Sequence, residues 1–235
     1  MIHTQAMSDV DRCEREPQAA RAMNVQATAH LVRALRGTPA RLFYVSSDYV
    51  FDGAKGAPYD ERDAPHPISV YGQSKLEGEV EALRHPAAVI LRPSTLFGSG
   101  RMNFCDAIVG AAREGRTIEA FLDQTTSPTY TEDMAAMIRE LIQALAGSRT
   151  PVTRVVHITN AGSCTRVAFA HRVLDLLGRS RDLVRPIRMA QQQRPAKRPA
   201  YSALTTVALT PLTGRSMRSW DDALHAYLRQ RGWLD

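Results

Sequence analysis

Apolar runs of strand length alternate with amphipathic stretches of helix length along most of the chain. This periodicity predicts strands at residues 41–47, 87–92, 117–121 and 154–159. It predicts helices at residues 17–35, 69–83, 103–115, 131–145, 165–177 and 216–230, with Thr165 capping the fifth. Such an alternation is typical of a parallel sheet that is covered by helices on both faces. We therefore expect an α/β fold.

Two stretches lack this periodicity. Residues 52–67 contain Asp-Gly and several prolines, which favour a loop. Residues 179–200 are rich in arginine, glutamine and proline, and we interpret them as an irregular lobe or a loop that lines a cleft.

Composition limits the function classes. The chain has 235 residues and is 44% hydrophobic, enough for one large core or for a main domain with a smaller lobe. Its formal net charge is +6, but the basic residues are scattered and aromatic residues make up only 6%, so we expect no nucleic-acid partner. No apolar run approaches the roughly 20 residues of a membrane span, and no signal peptide is recognisable, so we expect a cytoplasmic protein without membrane contact. Cys13, Cys105 and Cys164 have no disulfide or zinc spacing, and no metal site is predicted.

The sequence YGQSK places Tyr71 four residues before Lys75, so both side chains project from one face of a predicted helix. An ammonium next to a phenol favours the phenolate and lowers the tyrosine pKa, which makes the tyrosine a usable proton donor and acceptor. With seven tyrosines and three lysines in the chain, chance predicts only about 0.1 such pairs. Ser47, at the end of the strand at 41–47, could hold a substrate oxygen nearby. Carbonyl reduction is therefore one hypothesis from these residues, and the alternative is that Tyr71 and Lys75 are ordinary surface residues of an amphipathic helix.

Longer motifs surround this pair. The runs YVSSDYVFDG, PYDERDAPHPISVYGQSKLEGE and ILRPSTLFGSG closely resemble the extended short-chain dehydrogenase/reductases, and within them the dTDP-4-dehydrorhamnose reductases. VDRCEREPQAARAMNV, DQTTSPTYTEDMA, RVVHITNAG and RPAYSALTT extend the resemblance over essentially all of the chain. The resemblance implies a Rossmann-like parallel sheet, N-terminally truncated, that binds NADPH or NADH over residues 1–160. It also implies a small C-terminal substrate-binding lobe, formed mainly by residues 161–235.

The resemblance also implies a reaction and a site. The reaction is reduction of the 4-keto group of a nucleotide-linked 6-deoxysugar, and a homodimer is left open. Ser47, Tyr71 and Lys75 take the catalytic positions, with Ser47 where threonine is usual and Lys75 also binding the nicotinamide ribose. Cofactor contacts are expected from Thr4, Gln5, Ala6, Ser46, Tyr71 and Lys75, and substrate contacts from Ser8, Val10, Thr95, Asn103 and Arg194.

Several of these positions have alternatives. Gln5 is large for a position that usually holds a small residue, and Thr95 stands where rhamnose-pathway enzymes tend to have a tryptophan, which indicates another sugar or another substrate. Asn103, Arg194 and also Tyr201 are candidates for the nucleotide diphosphate, or else structural or surface residues. Asn24 matches an asparagine that supports a proton relay through the lysine, and the alternative is a solvent-facing helix residue.

One expected motif does not occur. No G-x-G-x-x-G or related turn precedes Ile2, and Ile2-His3-Thr4 matches the end of the fourth strand of such a domain, so about 60 residues are absent relative to the pattern. We expect weak cofactor binding and an exposed sheet edge, so the chain as given could lack activity. The explanations are an incorrectly assigned start, a truncated copy, or a protein that has exchanged reduction for binding. The intact catalytic residues favour the first.

Two other functions stay open. SSDYVFDG and LRPSTLFG also resemble the regulatory subunit of methionine adenosyltransferase, a non-catalytic binding protein that retains the catalytic triplet. A nucleotide-sugar epimerase or dehydratase of the same fold would carry further acid/base residues beside Ser47, which Ser46 and Asp48 do not obviously supply.

Overall fold

The computed structural model describes residues 1–147 and 153–234. Its helices are α1 (Val10–Arg15), α2 (Pro17–Arg21), α3 (Ala27–Ala34), α4 (Val70–Leu83), α5 (Phe104–Arg113), α6 (Thr131–Ala144), α7 (Arg166–Leu176), α8 (Leu209–Thr213) and α9 (Trp220–Gln230). Its strands are β1 (Ile2–His3), β2 (Leu42–Val45), β3 (Ala88–Arg92), β4 (Leu96–Phe97), β5 (Ile118–Phe121), β6 (Thr125–Thr126), β7 (Thr129–Tyr130), β8 (Val155–His157), β9 (Cys164–Thr165) and β10 (Val184–Ile187).

The main sheet is parallel and has the strand order β1-β2-β3-β8. Every residue of the central strand β3 is buried, as its continuous apolar sequence indicates. One apolar cluster packs α3 and α4 on one face of the sheet, and another packs α6 on the opposite face. The predicted α/β fold with helices on both faces is confirmed.

A second lobe is built around the parallel pair β5 and β10. Its apolar core joins side chains from α5, α7 and α9 to Phe97 of β4 and Tyr130 of β7. The main sheet lies within residues 1–160, whereas the lobe takes residues from both sides of position 160.

Some elements differ from those predicted. The helix predicted at 17–35 is continuous but contains a π-helical turn at Ala22–Gln26. The stretch 179–200 contains strand β10, where Pro186 is tolerated because β10 pairs with β5 alone. The last helix begins only at Trp220, with Ser219 as its cap. In the described part of the chain, no helix has the length and apolar character needed to cross a membrane.

Candidate active site

A cavity of about 720 Å³ opens where the main sheet meets the second lobe. Its floor is formed by residues that follow β1, β2 and β3, at the carboxyl ends of parallel strands, where ligands of such sheets bind. Its far wall comes from the lobe and includes Phe104, Phe121 and Arg166. The predicted catalytic residues Ser47, Tyr71 and Lys75 all line this cavity.

Helix α4 presents two of these residues. Ser69 caps the helix, and its hydroxyl accepts a hydrogen bond of 3.2 Å from the Gly72 amide. A Cβ at Gly72 would lie 2.1 Å from the carbonyl oxygen of Tyr49, so only glycine permits this close approach. Tyr71 and Lys75 are thereby held against the loop that contains Ser47.

Tyr71 lies edge-on to Tyr49, with ring centroids 5.8 Å apart. Burial raises the pKa of the Tyr71 phenol above its ordinary value, and a hydrogen bond with Ser47 acts in the opposite direction. The expectation that Lys75 lowers the tyrosine pKa is therefore wrong, because burial raises this pKa and the lysine ammonium is directed to the carbonyl oxygen of Val45.

Lys75 is only 1% exposed, and its ammonium donates a hydrogen bond of 2.7 Å to the carbonyl oxygen of Val45. The same ammonium lies 4.2 Å from the ring centroid of Tyr44. Burial lowers the pKa of Lys75 to about 8, against the opposing effect of Glu79. Lys75 is therefore a charged group held at the end of β2 with little solvation.

Glu79, one turn after Lys75, belongs to a buried network. Its carboxylate forms a salt bridge with Arg92, at 2.9 and 2.6 Å, and accepts a 2.5 Å hydrogen bond from the Ser46 hydroxyl. The side chains of Glu79 and Arg92 are 3% and 4% exposed. We did not predict this network from the sequence, although the four-residue spacing between Lys75 and Glu79 was a usable signal.

Asp48 is buried next to Ser47 and also lines the cavity. Its carboxylate accepts hydrogen bonds from Ser47 at 3.0 Å, from Ser94 at 2.7 Å and from Ser202 at 2.6 Å. Burial raises the pKa of Asp48, while the three hydroxyls lower it. Asp48 thus orients Ser47 and joins it to the C-terminal part of the chain.

The cavity brings together most of the other predicted site residues. The lining includes Thr4, Ala6, Ser8, Val10, Ser46, Thr95 and Arg194. Thr95 is also the only non-glycine residue with a positive φ in the described part of the chain, at 35°. For a β-branched residue this conformation is strained, and strained residues often lie at functional sites.

Gln5 does not line the cavity. Its amide nitrogen lies 3.9 Å from the sulfur of Met23, on the helix side of the chain. Side chains alternate along an extended segment, so Thr4 and Ala6 lie on the cavity side and Gln5 does not. The Gln5 side chain therefore does not crowd the cavity, and the expected contact of the Gln5 backbone with the cofactor stays a prediction. Tyr201, the further diphosphate candidate, is also outside the lining.

Asn103 lines the cavity, but its side chain caps α5. Its carbonyl oxygen accepts hydrogen bonds from the amides of Cys105 and Asp106, and its amide donates to the carbonyl oxygen of Gly98. These contacts use the polar atoms of the side chain, which supports the structural alternative for Asn103.

Asn24 is fully buried, so the solvent-facing alternative is wrong. Its side chain accepts a hydrogen bond from the amide of Met7 at 2.8 Å and donates to the carbonyl oxygen of Met7 and to the hydroxyl of Ser74. Asn24 therefore connects the chain after β1 to α4, beside the two predicted catalytic residues of that helix.

The residues around Lys75 fit the nicotinamide end of a dinucleotide. Thr4 and Ala6 follow β1, and Ser46 follows β2, so small side chains leave backbone accessible at the cavity. The Lys75 ammonium lies at the same edge of the sheet and would be the donor that holds a ribose hydroxyl of such a group.

Comparison with known proteins identifies the family of this chain. The RmlD substrate binding domain family matches residues 1–232. The dTDP-4-dehydrorhamnose reductase of Mycobacterium tuberculosis is 38% identical over 95% of this chain and 74% of its own length. The corresponding reductase of Streptomyces griseus is 35% identical, again over 95% of this chain and 74% of its own length.

Solved structures of related proteins have the same fold as this chain. The structure of a dTDP-4-dehydrorhamnose reductase from Bacillus anthracis in complex with NADP has a TM-score of 0.89 and 31% identity, over 97% of this chain and 79% of that one. A dTDP-glucose 4,6-dehydratase from Streptomyces venezuelae has a TM-score of 0.80 over 100% of this chain and 74% of that one, but only 22% identity, and shows the fold alone. The chain therefore has a Rossmann-like α/β fold and belongs to the RmlD substrate binding domain family.

Proposed function

We propose that this protein uses NADPH to reduce the 4-keto group of a dTDP-linked 4-keto-6-deoxysugar. The observation that carries the proposal is the convergence of Ser47, Tyr71 and Lys75 on one cavity between the main sheet and the second lobe. The names of the relatives and the NADP of the structural neighbour support the substrate and the cofactor.

In this reaction NADPH, when bound, supplies the hydride. Tyr71 donates the proton to the carbonyl oxygen, and its raised pKa keeps the phenol in the protonated form that reduction requires. Ser47 holds the same oxygen by hydrogen bonding and is itself oriented by Asp48. Lys75 holds the ribose of the nicotinamide nucleoside, with Thr4, Ala6 and Ser46 beside it.

A direct test replaces Tyr71 by phenylalanine, which removes the proton donor but keeps the ring. We expect the 235-residue chain to oxidise NADPH in the presence of a dTDP-4-keto-6-deoxysugar, and Tyr71→Phe to lower the rate about 100-fold or more. Loss of NADPH absorbance gives the rate, measured at saturating NADPH.

Tyr59→Phe is the matched control, since the Tyr59 hydroxyl bonds Asp52 and does not line the cavity. It should retain most of the activity. Unchanged turnover in Tyr71→Phe would overturn the mechanism. A chain that binds the nucleotide sugar but never oxidises NADPH would instead favour the non-catalytic binding role.

A further inference from the structure

Arg166 is the first residue of α7 and reaches the cavity from the second lobe. Its guanidinium carbon lies 3.9 Å from the ring centroid of Phe104, so the group is held on an aromatic face. Burial lowers the pKa of Arg166. An arginine nevertheless stays charged at neutral pH, so the lobe presents a poorly solvated cation to the cavity.

Within residues 1–147 and 153–234, no carboxylate forms a salt bridge with this guanidinium and no side-chain hydrogen bond involves it. The other arginines of the cavity wall differ. Arg198 is paired with Asp11 at 2.8 Å, and Arg194 donates a 2.7 Å hydrogen bond to the side chain of Gln192. The remaining arginine of the wall, Arg101, donates a 3.4 Å hydrogen bond to the hydroxyl of Ser8, so among the four lining arginines Arg166 alone has its side-chain donors uncommitted in the described part of the chain.

The surroundings of Arg166 disfavour a cation. It lies at the N-terminus of α7, where the helix dipole repels positive charge. Repulsion from Arg194 also lowers its pKa, whereas Tyr49, Cys164 and Asp48 act in the opposite direction without cancelling the effect of burial. A bound anion would offset the cost of burying this charge and the repulsion from Arg194.

We propose that Arg166 binds the diphosphate of the nucleotide sugar, with Arg194 as a second cation. This inference rests on the proposed function, because that function places a nucleoside diphosphate in the cavity with its sugar at Tyr71. A planar guanidinium can bond two phosphate oxygens at once, and the Phe104 ring supports its face while the edge donors remain available. Because Arg166 belongs to the lobe, it positions the substrate relative to residues of the main sheet.

Calorimetric titration of the 235-residue chain with dTDP and with thymidine tests the proposal. We expect Arg166→Met to weaken dTDP binding about 10- to 100-fold and to leave thymidine binding nearly unchanged. Arg166→Lys, which keeps the charge, should recover part of the dTDP affinity. Arg179→Met removes an exposed charge just after the other end of α7 and should bind dTDP as the wild type does.

Thermal unfolding without ligand separates an effect of the substitution on dTDP binding from an effect on the stability of the protein. Because Arg166 is unfavourably placed in the free protein, Arg166→Met should keep or raise Tm. Added dTDP should raise the Tm of this variant by less than it raises the Tm of the wild type. The inference is overturned if Arg166→Met binds dTDP as tightly as the wild type, and the proposed function then still stands. It is also overturned if Arg166→Met lowers Tm without ligand and Arg166→Lys restores no dTDP affinity. Wild-type protein that binds no dTDP would contradict the proposed function itself.

Discussion

Burial shifts the pKa values of Tyr71 and Lys75, the two predicted catalytic residues of α4, in opposite directions. It raises the pKa of Tyr71, whose charged form is the phenolate, and lowers the pKa of Lys75, whose charged form is the ammonium. The YxxxK spacing predicted that these residues share one face of a helix, but it predicted a lowered pKa for Tyr71 where the pKa is raised. Desolvation depends on what the rest of the chain packs over each group, and the local sequence does not contain that information.

The lowered pKa of Lys75 predicts a specific pH dependence of stability. Between pH of about 8 and about 10.5 the unfolded chain retains a proton on Lys75 that the folded chain has released, so the free energy of unfolding rises with pH in this window. The rise is on the order of 3 kcal/mol. Lys75→Met should lose this contribution, as measured by urea unfolding at several pH values across the window. Equal pH slopes for the two proteins would contradict the shift.

Arg166 illustrates a different limit of sequence reasoning. Thr165 was predicted as the helix cap, and its hydroxyl does accept a hydrogen bond of 3.0 Å from the amide of Ala168. Nothing in the local pattern distinguished Arg166 from the other arginines of the chain. Its significance comes from Phe104 and from the cavity, which belong to distant parts of the sequence.

At the scale of elements, α4 was predicted almost to the residue because its signals are local. Ser69 follows a proline-rich loop, and its side chain caps the helix. Strand β10 was missed because its sequence, VRPI, becomes a strand only by pairing with β5. The π-helical turn that contains Asn24 was also missed, because the contacts of Asn24 with Met7 and Ser74 are tertiary.

Gly72 in α4 and Gly110 in α5 provide a prediction about how closely α4 packs against the loop after Ser47. Gly72→Ala would place a methyl group 2.1 Å from the carbonyl oxygen of Tyr49, so α4 must move away from the loop after Ser47. We expect a loss of about 1–3 kcal/mol in the free energy of unfolding and a lower reductase rate. Denaturant unfolding and the NADPH assay measure the two effects.

Gly110→Ala is the matched control, because nothing lies within 4 Å of a Cβ at this position in α5. It should stabilise the protein by about 0.5–1 kcal/mol through helix propensity. If Gly72→Ala were as stable as Gly110→Ala, the close approach of α4 to Tyr49 would be incorrect.

At the scale of the whole molecule, side chains from distant parts of the sequence close the cavity. Asp11 pairs with Arg198 across 187 residues of sequence, and Asp48 accepts a hydrogen bond from Ser202 across 154 residues. The stretch 192–198, which supplies Gln192, Arg194 and Arg198 to the lining, is therefore attached to the N-terminal part of the chain. A cleft-lining loop was one of the two interpretations of residues 179–200 from the sequence, but the sequence did not identify the attachments of this stretch.

Asp11→Asn tests this attachment. The change leaves the Arg198 guanidinium, whose side chain is only 11% exposed, without its carboxylate. We expect faster amide hydrogen exchange over residues 192–200, with little change in the main sheet, as read by mass spectrometry. Glu16→Gln, which breaks the exposed pair with Arg12, should leave exchange in this stretch unchanged. Equal exchange in both variants would show that Asp11 does not hold the stretch.

The second lobe is built from segments that are far apart in the sequence, and this affects the order of folding. The hydroxyl of Tyr227, in α9, donates to the carbonyl oxygen of Gly98 across 129 residues of sequence, and both lie in or next to the apolar core that also contains Phe97. During synthesis this core is therefore incomplete until α9 has left the ribosome, whereas β2, α4 and β3 can assemble much earlier. Contacts of such long range slow folding and leave apolar surface exposed for longer, so a nascent chain of this protein should need chaperones at its last stage.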